Sequence, residues 1–364
     1  MTRTLVVSPE PVRARMAGMG IRALQVARTL ARAGHDVTLA APAPASPDGS
    51  GSAFDAGVRV VASTEAPAVR AEVAIVSGHA AAALGSRFSA CLVADLYDPF
   101  AVENLAYAAT LGPAVHEHDL ATLSALLSRA DLVLVATEEQ RLFTLGTLLA
   151  LGRLPGALAG DPEGRRRVAV APFGIDEEPP GEPAPHPSLG PGPRDVLFGG
   201  VYDWYDPDLV LDAWPSVLEA VPDARLVFVE SPNPASTPQV RLEGARRRSA
   251  EAGWLGHSVH VVPWLAYAAR GGFYRACRAA VLTHRPSLEG ELSFRTRALD
   301  FLWAGLPAVA TEGGAASRLI GESGAGLVVP VRADAVASAL VRLLTDDAAH
   351  AEAAARARET AGRF

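Results

Sequence analysis

The sequence has 364 residues, 49% of them hydrophobic, which predicts two domains of about 150–180 residues, each with its own core. Its formal net charge of −7 has the wrong sign for a protein that neutralises a phosphate backbone, which argues against nucleic acid as a partner. All 33 basic residues are arginine, so chemistry that needs a phosphate-loop lysine, a Schiff-base lysine or a lysine general base is excluded.

The longest apolar runs are strand-sized, so the sequence predicts no membrane span. The amino-terminal run Leu5-Val6-Val7 has no basic segment or cleavage site of the secretory kind, which predicts a cytoplasmic protein. The two cysteines, Cys91 and Cys277, lie in apolar segments and are predicted to be buried thiols, not a disulfide or metal pair.

Strand-sized apolar runs alternate with helix-period segments along the whole chain, a pattern typical of parallel α/β sheets. The first series comprises residues 4–8, 37–41, 58–62, 73–77, 91–95, 132–136 and 168–171. The second comprises residues 196–198, 226–230, 259–262, 280–283, 308–311 and 326–329.

These series predict two Rossmann-like, doubly wound α/β domains that face each other across a cleft. The predicted boundaries are a first domain over 1–176, a Pro- and Gly-rich linker over 177–193 and a second domain over 194–364. The last helix is expected to pack back on the first domain. Because such sheets bind ligands beyond the carboxyl ends of their strands, functional residues are sought in the loops that follow strands.

The loop after the first strand contains Gly18 and Gly20 and leads into an amphipathic helix. Backbone amides at a helix N-terminus can bind an anion, although glycines here also serve the turn alone. The second domain opens similarly, with Gly200, Tyr202 and Trp204 as candidate ligand contacts. These aromatic rings suit a packed interface equally well. Asp206 and Pro207 then form a predicted N-cap and N1 pair.

The most informative stretch is 288–307. Ser293 is a predicted N-cap, which would direct the amides of Phe294, Arg295 and Thr296 at a phosphate while Arg295 or Arg297 adds charge. Asp300 lies one to two turns further on, where its carboxylate can accept hydrogen bonds from the two hydroxyl groups of a ribose. The structural alternative is a helix-surface ion pair between Arg297 and Asp300.

The chain resembles the retaining glycosyltransferases of family 4, which have the GT-B fold. The resemblance rests on these segments: Pro9-Glu10-Pro11 with Gly18-Met19-Gly20, Asp95 to Pro99, Glu139-Gln140-Arg141, Tyr202 to Pro207, Asn233-Pro234 and, above all, 293–307. It implies transfer of a sugar from a nucleoside diphosphate sugar, which is a co-substrate, with no other cofactor, no essential metal and no protein nucleophile. The leaving diphosphate is expected to help deprotonate the acceptor.

Three departures from the family pattern shape the predicted site. Leu292 stands where the family has its first glutamate, so Glu289 or Glu291 is expected to contact the donor sugar, with Glu289 preferred. The family's basic clamp after the first strand of the second domain is missing from 201–205, which predicts that Arg295 and Arg297 replace it.

The third departure concerns the acceptor. Ala94-Asp95 replaces a histidine–aspartate pair that the family often has after the fifth strand. Asp95 or Asp98 is therefore a candidate to orient the acceptor, and His116 or His118 could approach from a neighbouring loop or be ordinary surface residues.

The predicted function is a retaining glycosyltransferase whose acceptor is a polysaccharide, a glycolipid or a secondary metabolite. A sugar-nucleotide epimerase and a catalytically silent GT-B binding subunit are the alternatives. The basic loop around Arg13 and Arg15 would suit a lipid-linked acceptor at a membrane face, or it is simply a solvated surface.

Overall fold

The computed structural model describes residues 1–42, 57–84, 90–107, 112–154, 160–192, 194–231 and 239–364. Asn233-Pro234, part of the family resemblance, lies outside these residues. The chain divides into two compact units, Met1–Pro172 and Phe173–Phe364.

The first unit is built on a seven-stranded sheet in the order β3-β2-β1-β4-β5-β6-β7, in which every neighbouring pair is parallel. Its strands are β1 (Arg3–Val7), β2 (Asp36–Ala41), β3 (Arg59–Ala62), β4 (Val73–Val76), β5 (Cys91–Asp95), β6 (Leu132–Val135) and β7 (Val168–Val170). Its α-helices are α1 (Gly18–Arg32), α2 (Phe100–Glu103), α3 (Pro113–Arg129) and α4 (Glu138–Ala150), with short 3₁₀ helices at Ser63–Ala68, Gly78–Leu84 and Asn104–Tyr107.

The second unit contains a six-stranded parallel sheet in the order β10-β9-β8-β11-β12-β13. Its strands are β8 (Asp195–Gly200), β9 (Arg225–Val229), β10 (Val259–Val262), β11 (Ala279–Leu282), β12 (Ala308–Thr311) and β13 (Gly326–Val329). Its α-helices are α5 (Pro207–Ala220), α6 (Val240–Glu251), α7 (Arg270–Ala276), α8 (Leu288–Leu292), α9 (Arg297–Ala304), α10 (Gly314–Ser323), α11 (Ala333–Thr345) and α12 (Asp347–Ala361), with a 3₁₀ turn at Tyr267–Ala269.

Both sheets are covered on two faces, which is why their strands read as continuous apolar runs. Val196, Leu197 and Phe198 of β8, for example, are fully buried in the core of the second unit. The predicted pair of doubly wound α/β domains is therefore confirmed, and the strand order reverses between β1 and β4 in one sheet and between β8 and β11 in the other. Ligands of such sheets bind beside these switch points.

The Pro- and Gly-rich stretch after residue 177 packs against α7 of the second unit. A Cβ on Gly272 would lie 2.7 Å from the carbonyl oxygen of Glu182, so only glycine allows this approach. The backbone amide of Ala184 donates to the carbonyl of Gly272. At the other end of the unit, α12 buries Ala357 against α9.

The two thiols differ in exposure. Cys277 is buried as predicted, whereas Cys91 is exposed because it is the first residue of β5, at the rim of the sheet. In the part of the chain that the structure describes, no helix is both long and apolar enough to cross a membrane.

Candidate active site

The carboxyl end of β8 carries two glycines that accommodate an arginine from α9. The Nη1 atom of Arg297 donates to the carbonyl oxygen of Phe198 at 2.8 Å, and its guanidinium lies 4.3 Å from the centre of the Tyr205 ring. A Cβ on Gly199, which has φ +81°, would lie 3.2 Å from Nη1, and a Cβ on Gly200 would lie 3.0 Å from the Trp264 ring. The fold thus brings Gly200 and Arg297, both predicted from the sequence, to the switch point of the second sheet.

Tyr202 and Trp204 stack on each other beside this point. Their ring centres are 4.9 Å apart and their planes differ by 4°. Both rings are half-buried and pack against the core of the second unit. The packing role that the sequence left open is therefore filled, and their exposed edges still border the carboxyl end of β8.

Asp206 occupies the N-cap position of α5 and Pro207 the first helical position, as predicted, but the aspartate side chain does not cap the helix. Its carboxylate instead accepts from Nε of Arg285 at 2.6 Å. The backbone amide of Asp206 donates to the carbonyl of Thr283 at 2.9 Å. Asp206 therefore ties the loop after β8 to the loop after β11.

The predicted N-cap at Ser293 is wrong. The stretch forms two helices: Ser287 caps α8 by accepting from the amide of Gly290 at 3.0 Å, and Ser293 is the C-terminal cap of that helix. The next helix, α9, begins at Arg297 with Thr296 at the N-cap position and no side-chain cap. Ser293 does not cap α9 because that helix begins at Arg297, four residues later, whereas an N-cap residue directly precedes the first helical residue.

Phe294, between the two helices, packs against the small cluster formed by α9 and α12. Ser293 and Arg295 are buried in the same connection. The segment therefore contributes the partly buried guanidinium of Arg297 and a largely buried connector, and not a continuous row of amides directed at a phosphate.

Glu289 and Arg295 form a bidentate ion pair, Oε1 with Nη1 and Oε2 with Nη2. Both side chains are buried, and the Arg295 guanidinium also lies 5.1 Å from the centre of the Tyr205 ring. Glu289 was predicted to contact the donor sugar and Arg295 to bind phosphate. In this structure each is engaged by the other.

Asp300 also has a partner that the sequence did not predict. Its Oδ1 lies 3.3 Å from Nε of Arg270, whose Nη2 donates to Asp176 at 2.8 Å. The alternative ion pair between Arg297 and Asp300 is not formed, because Arg297 points at Phe198. Burial raises the pKa of the Asp300 carboxyl, and the neighbouring Arg270 opposes that rise.

His284, which sequence reasoning missed, follows β11 at the same switch point. Its Nε2 lies 3.0 Å from the carbonyl oxygen of Gly313, and its backbone amide donates to Oγ1 of Thr311 at 3.0 Å. Burial, followed by the positive charge of Arg295, lowers the pKa of His284. A neutral imidazole at this position joins the loop after β11 to the start of α10. Its place directly after an apolar strand was the available signal.

In the first unit, Asp95 ends β5 and pairs with Arg22 of α1. Both oxygens of Asp95 accept from the guanidinium at 2.7 Å, and Arg22 also donates to the carbonyl of Ala171 at 2.9 Å. Both side chains are almost fully buried. Burial raises the pKa of Asp95, and the bonds to Arg22 act in the opposite direction. The ion pair therefore joins the end of β5 to α1 and to the loop after β7. Asp98, three residues further on, lines a small apolar cavity with Phe100.

The predicted anion site at Gly18 and Gly20 already holds a carboxylate of the protein. Oε2 of Glu10 accepts from the amide of Gly20 at 3.3 Å, and the backbone of Ala17 also bonds to this carboxylate. Burial raises the pKa of Glu10. The N-terminus of α1 is thus satisfied from within the chain.

A second group that sequence reasoning missed follows β4. Nε2 of His79 lies 2.7 Å from Oδ1 of Asp119, and the side-chain amide of Asn104 donates to Oδ2 at 2.7 Å. His79 is 42% exposed while Asp119 is 2% exposed. The His118 ring stacks on His79 with centres 5.1 Å apart. A buried carboxylate therefore fixes a half-exposed imidazole beside the switch point of the first sheet.

Residues 193–346 match the family model of the Glycosyl transferases group 1. The match covers less than half of the chain and includes the whole sheet of the second unit. The match confirms the sequence-based prediction of a nucleotide-sugar glycosyltransferase at the level of this family. No curated protein matches the sequence.

Solved structures support the same fold over the whole chain. Sucrose-phosphate synthase from Thermosynechococcus elongatus superposes with a TM-score of 0.69 at 17% identity, covering 100% of this chain and 94% of that one. Anabaena HepE in complex with UDP and glucose gives 0.69 at 14% identity, covering 100% and 95%. A putative UDP-N-acetylglucosamine 2-epimerase from Listeria monocytogenes gives 0.55 at 13% identity, covering 97% and 90%. At these identities the likeness establishes the GT-B fold alone.

The matched residues 193–346 include most of those predicted to bind the donor. Among them, Gly200 and Arg297 meet at the carboxyl end of β8, and Glu289 joins Arg295 nearby. Asp300 lies on the same helix as Arg297 but is held by Arg270. The first-unit candidates belong to a different sheet, where Asp95 is committed to Arg22.

Proposed function

We propose that the protein is a retaining glycosyltransferase that transfers a sugar from a nucleoside diphosphate sugar to a hydroxyl group of an acceptor. The observation that carries the proposal is the placement of Arg297 against Gly199 and Gly200 at the switch point of a glycosyl transferases group 1 domain. A guanidinium there supplies positive charge in a chain that contains no lysine.

The proposed role of Arg297 is to bind the diphosphate and to stabilise the charge that it gains as the sugar leaves. Its guanidinium is anchored through one nitrogen to Phe198 and through its face to Tyr205, so its orientation is fixed before the donor binds. Such fixed charge stabilises a developing anion without reorganisation. Arg295 is proposed to act indirectly, by holding Glu289 while its own guanidinium packs on the same Tyr205 ring.

Uridine diphosphate is the nucleotide to test first, because HepE, with the same fold, was solved with UDP and glucose. We expect UDP to bind the wild-type protein and Arg297→Ala to weaken binding by about tenfold to a hundredfold, since a hydrogen bond to a charged group contributes about 1.5–3 kcal/mol. Titration calorimetry measures both. The control is Arg356→Ala, which removes an exposed guanidinium from α12. Equal UDP affinity in wild type and Arg297→Ala would contradict the proposal.

Activity is tested with UDP-glucose and a mixture of hydroxyl acceptors, with product detected by mass spectrometry and its anomeric configuration assigned by NMR. We propose that transfer is retaining, and that it continues in excess EDTA because Arg297 supplies the positive charge. A product of inverted configuration would contradict retention, and loss of turnover in EDTA would contradict metal independence. Cell fractionation tests the proposed cytoplasmic location.

An epimerase is the second candidate, because the superposition on the putative Listeria 2-epimerase spans 97% of this chain. The two candidates separate when UDP-N-acetylglucosamine is incubated without acceptor. An epimerase converts the sugar nucleotide into its epimer, whereas the proposed transferase gives only slow hydrolysis. A silent binding subunit would bind UDP and do neither.

A further inference from the structure

Helix α1 begins without the groups that usually satisfy a helix N-terminus. Its N-cap residue, Ala17, has no polar side chain, and the first turn contains no acidic residue. A 15-residue helix nevertheless presents free amides and a partial positive charge at this end. The switch point of the first sheet lies beside β1, directly before this loop.

Glu10 supplies the missing negative charge from the loop between β1 and α1. Its Oε2 accepts from the amide of Gly20 at 3.3 Å, and the amide of Ala17 bonds to the same carboxylate. Gly20 permits this arrangement because a Cβ there would lie 3.3 Å from the carbonyl oxygen of Pro11 and 3.5 Å from Glu10 Oε2. The carboxylate therefore occupies the position that a bound phosphate would need.

The charges around Glu10 strengthen this conclusion. Burial is the main cause of the raised pKa of Glu10, and Asp98, after β5, adds to the rise, while Arg13 lowers the pKa by a smaller amount. A phosphate placed beside these two carboxylates would be repelled by their negative charge. The repulsion is strong because the setting is partly buried, where screening is weak. A neutral hydroxyl, in contrast, can donate to a carboxylate oxygen.

We propose that Glu10 is a specificity-determining residue that closes the N-terminus of α1 to phosphate, so that the first unit takes an uncharged, hydroxyl-bearing acceptor and not a sugar phosphate. The inference rests on the proposed transferase function, because it names the acceptor class of that reaction.

The test is a titration of inorganic phosphate and of D-glucose 6-phosphate into the full-length, ¹⁵N-glycine-labelled protein, with the amides of Gly18 and Gly20 observed by NMR. Wild type and the control Glu72→Ala, an exposed glutamate beside Arg3, are expected to show no saturable shift of these amides. Glu10→Ala is expected to bind phosphate at least tenfold more tightly than wild type. Glu10→Gln keeps the size but removes the charge, so it should bind phosphate more tightly than wild type and less tightly than Glu10→Ala.

Saturable phosphate binding at Gly20 in the wild-type protein would overturn the proposal, and this measurement needs no variant to fold. The proposal is also overturned if the Glu10→Ala variant is folded, as judged by its melting temperature, but does not bind phosphate more tightly than wild type. UDP is added to the same samples to report on the second unit. If the wild type does not bind UDP, the proposed function is contradicted, whereas the phosphate titration still tests the role of Glu10.

Discussion

Glu289 and Arg295 hold each other in a bidentate ion pair, with 9% and 6% of their side chains exposed. Six residues separate them, and the turn between α8 and α9 folds one back onto the other. Removing one partner leaves the other charged and buried, which costs more than the pair itself contributes.

Glu289→Ala is therefore expected to lower the free energy of unfolding by about 3–5 kcal/mol. The double substitution Glu289→Leu with Arg295→Met should recover most of that loss, because it removes both charges and keeps the volume. Urea unfolding measures both variants. If the double variant is as unstable as the single one, the ion pair is not what Glu289→Ala disrupts.

Gly199→Ala should disturb the site and not only the backbone. At φ +81° an alanine costs about 1–2 kcal/mol, and its Cβ would lie 3.2 Å from Nη1 of Arg297. Gly253 has φ +71° with nothing within 4 Å of its Cβ position, so Gly253→Ala carries similar strain without the contact. We expect similar losses of stability in both variants but weaker UDP binding only in Gly199→Ala. Equal UDP affinity would show that the guanidinium position is unimportant.

His284 should make stability depend on pH. Its folded-state pKa is lowered by burial and by Arg295, so below the ordinary histidine value of about 6.5 the unfolded chain binds more protons than the native one. Stability is then expected to rise as pH increases towards that value and to fall on acidification. Urea unfolding between pH 5 and 8 should give a shallower slope for His284→Gln than for wild type. Identical slopes would contradict the assignment.

Asp119 is predicted to stabilise the first unit through His79 and Asn104. Asp119→Ala removes two hydrogen bonds to a buried charge and should cost about 1.5–3 kcal/mol. Glu117→Ala, an exposed position on the same helix, is the matched control and should cost little. Long-range ¹H–¹⁵N spectra of the wild type are expected to show the Nε2–H tautomer of His79, and this tautomer should be lost with Asp119. Retention of that tautomer would contradict the contact.

The sequence by itself determined the fold class and the positions of the strands, because burial on both faces of a parallel sheet imposes apolar runs that are visible locally. It also indicated the resemblance to the group 1 glycosyltransferases and singled out Gly200 and Arg297, although the contact between them was seen only in the structure. Ligands bind at the carboxyl ends of the strands in any doubly wound sheet, so the sequence alone indicates the region of the site.

Only the tertiary structure decided which charges are paired. Arg22 and Asp95 are 73 residues apart and Arg270 and Asp300 are 30 apart, and each carboxylate had 33 arginines as possible partners. Local spacing does not choose among them, because the choice depends on which loops the sheet order makes adjacent. The structure also placed Glu10 at the predicted anion site, because the loop folds back on the helix that it precedes.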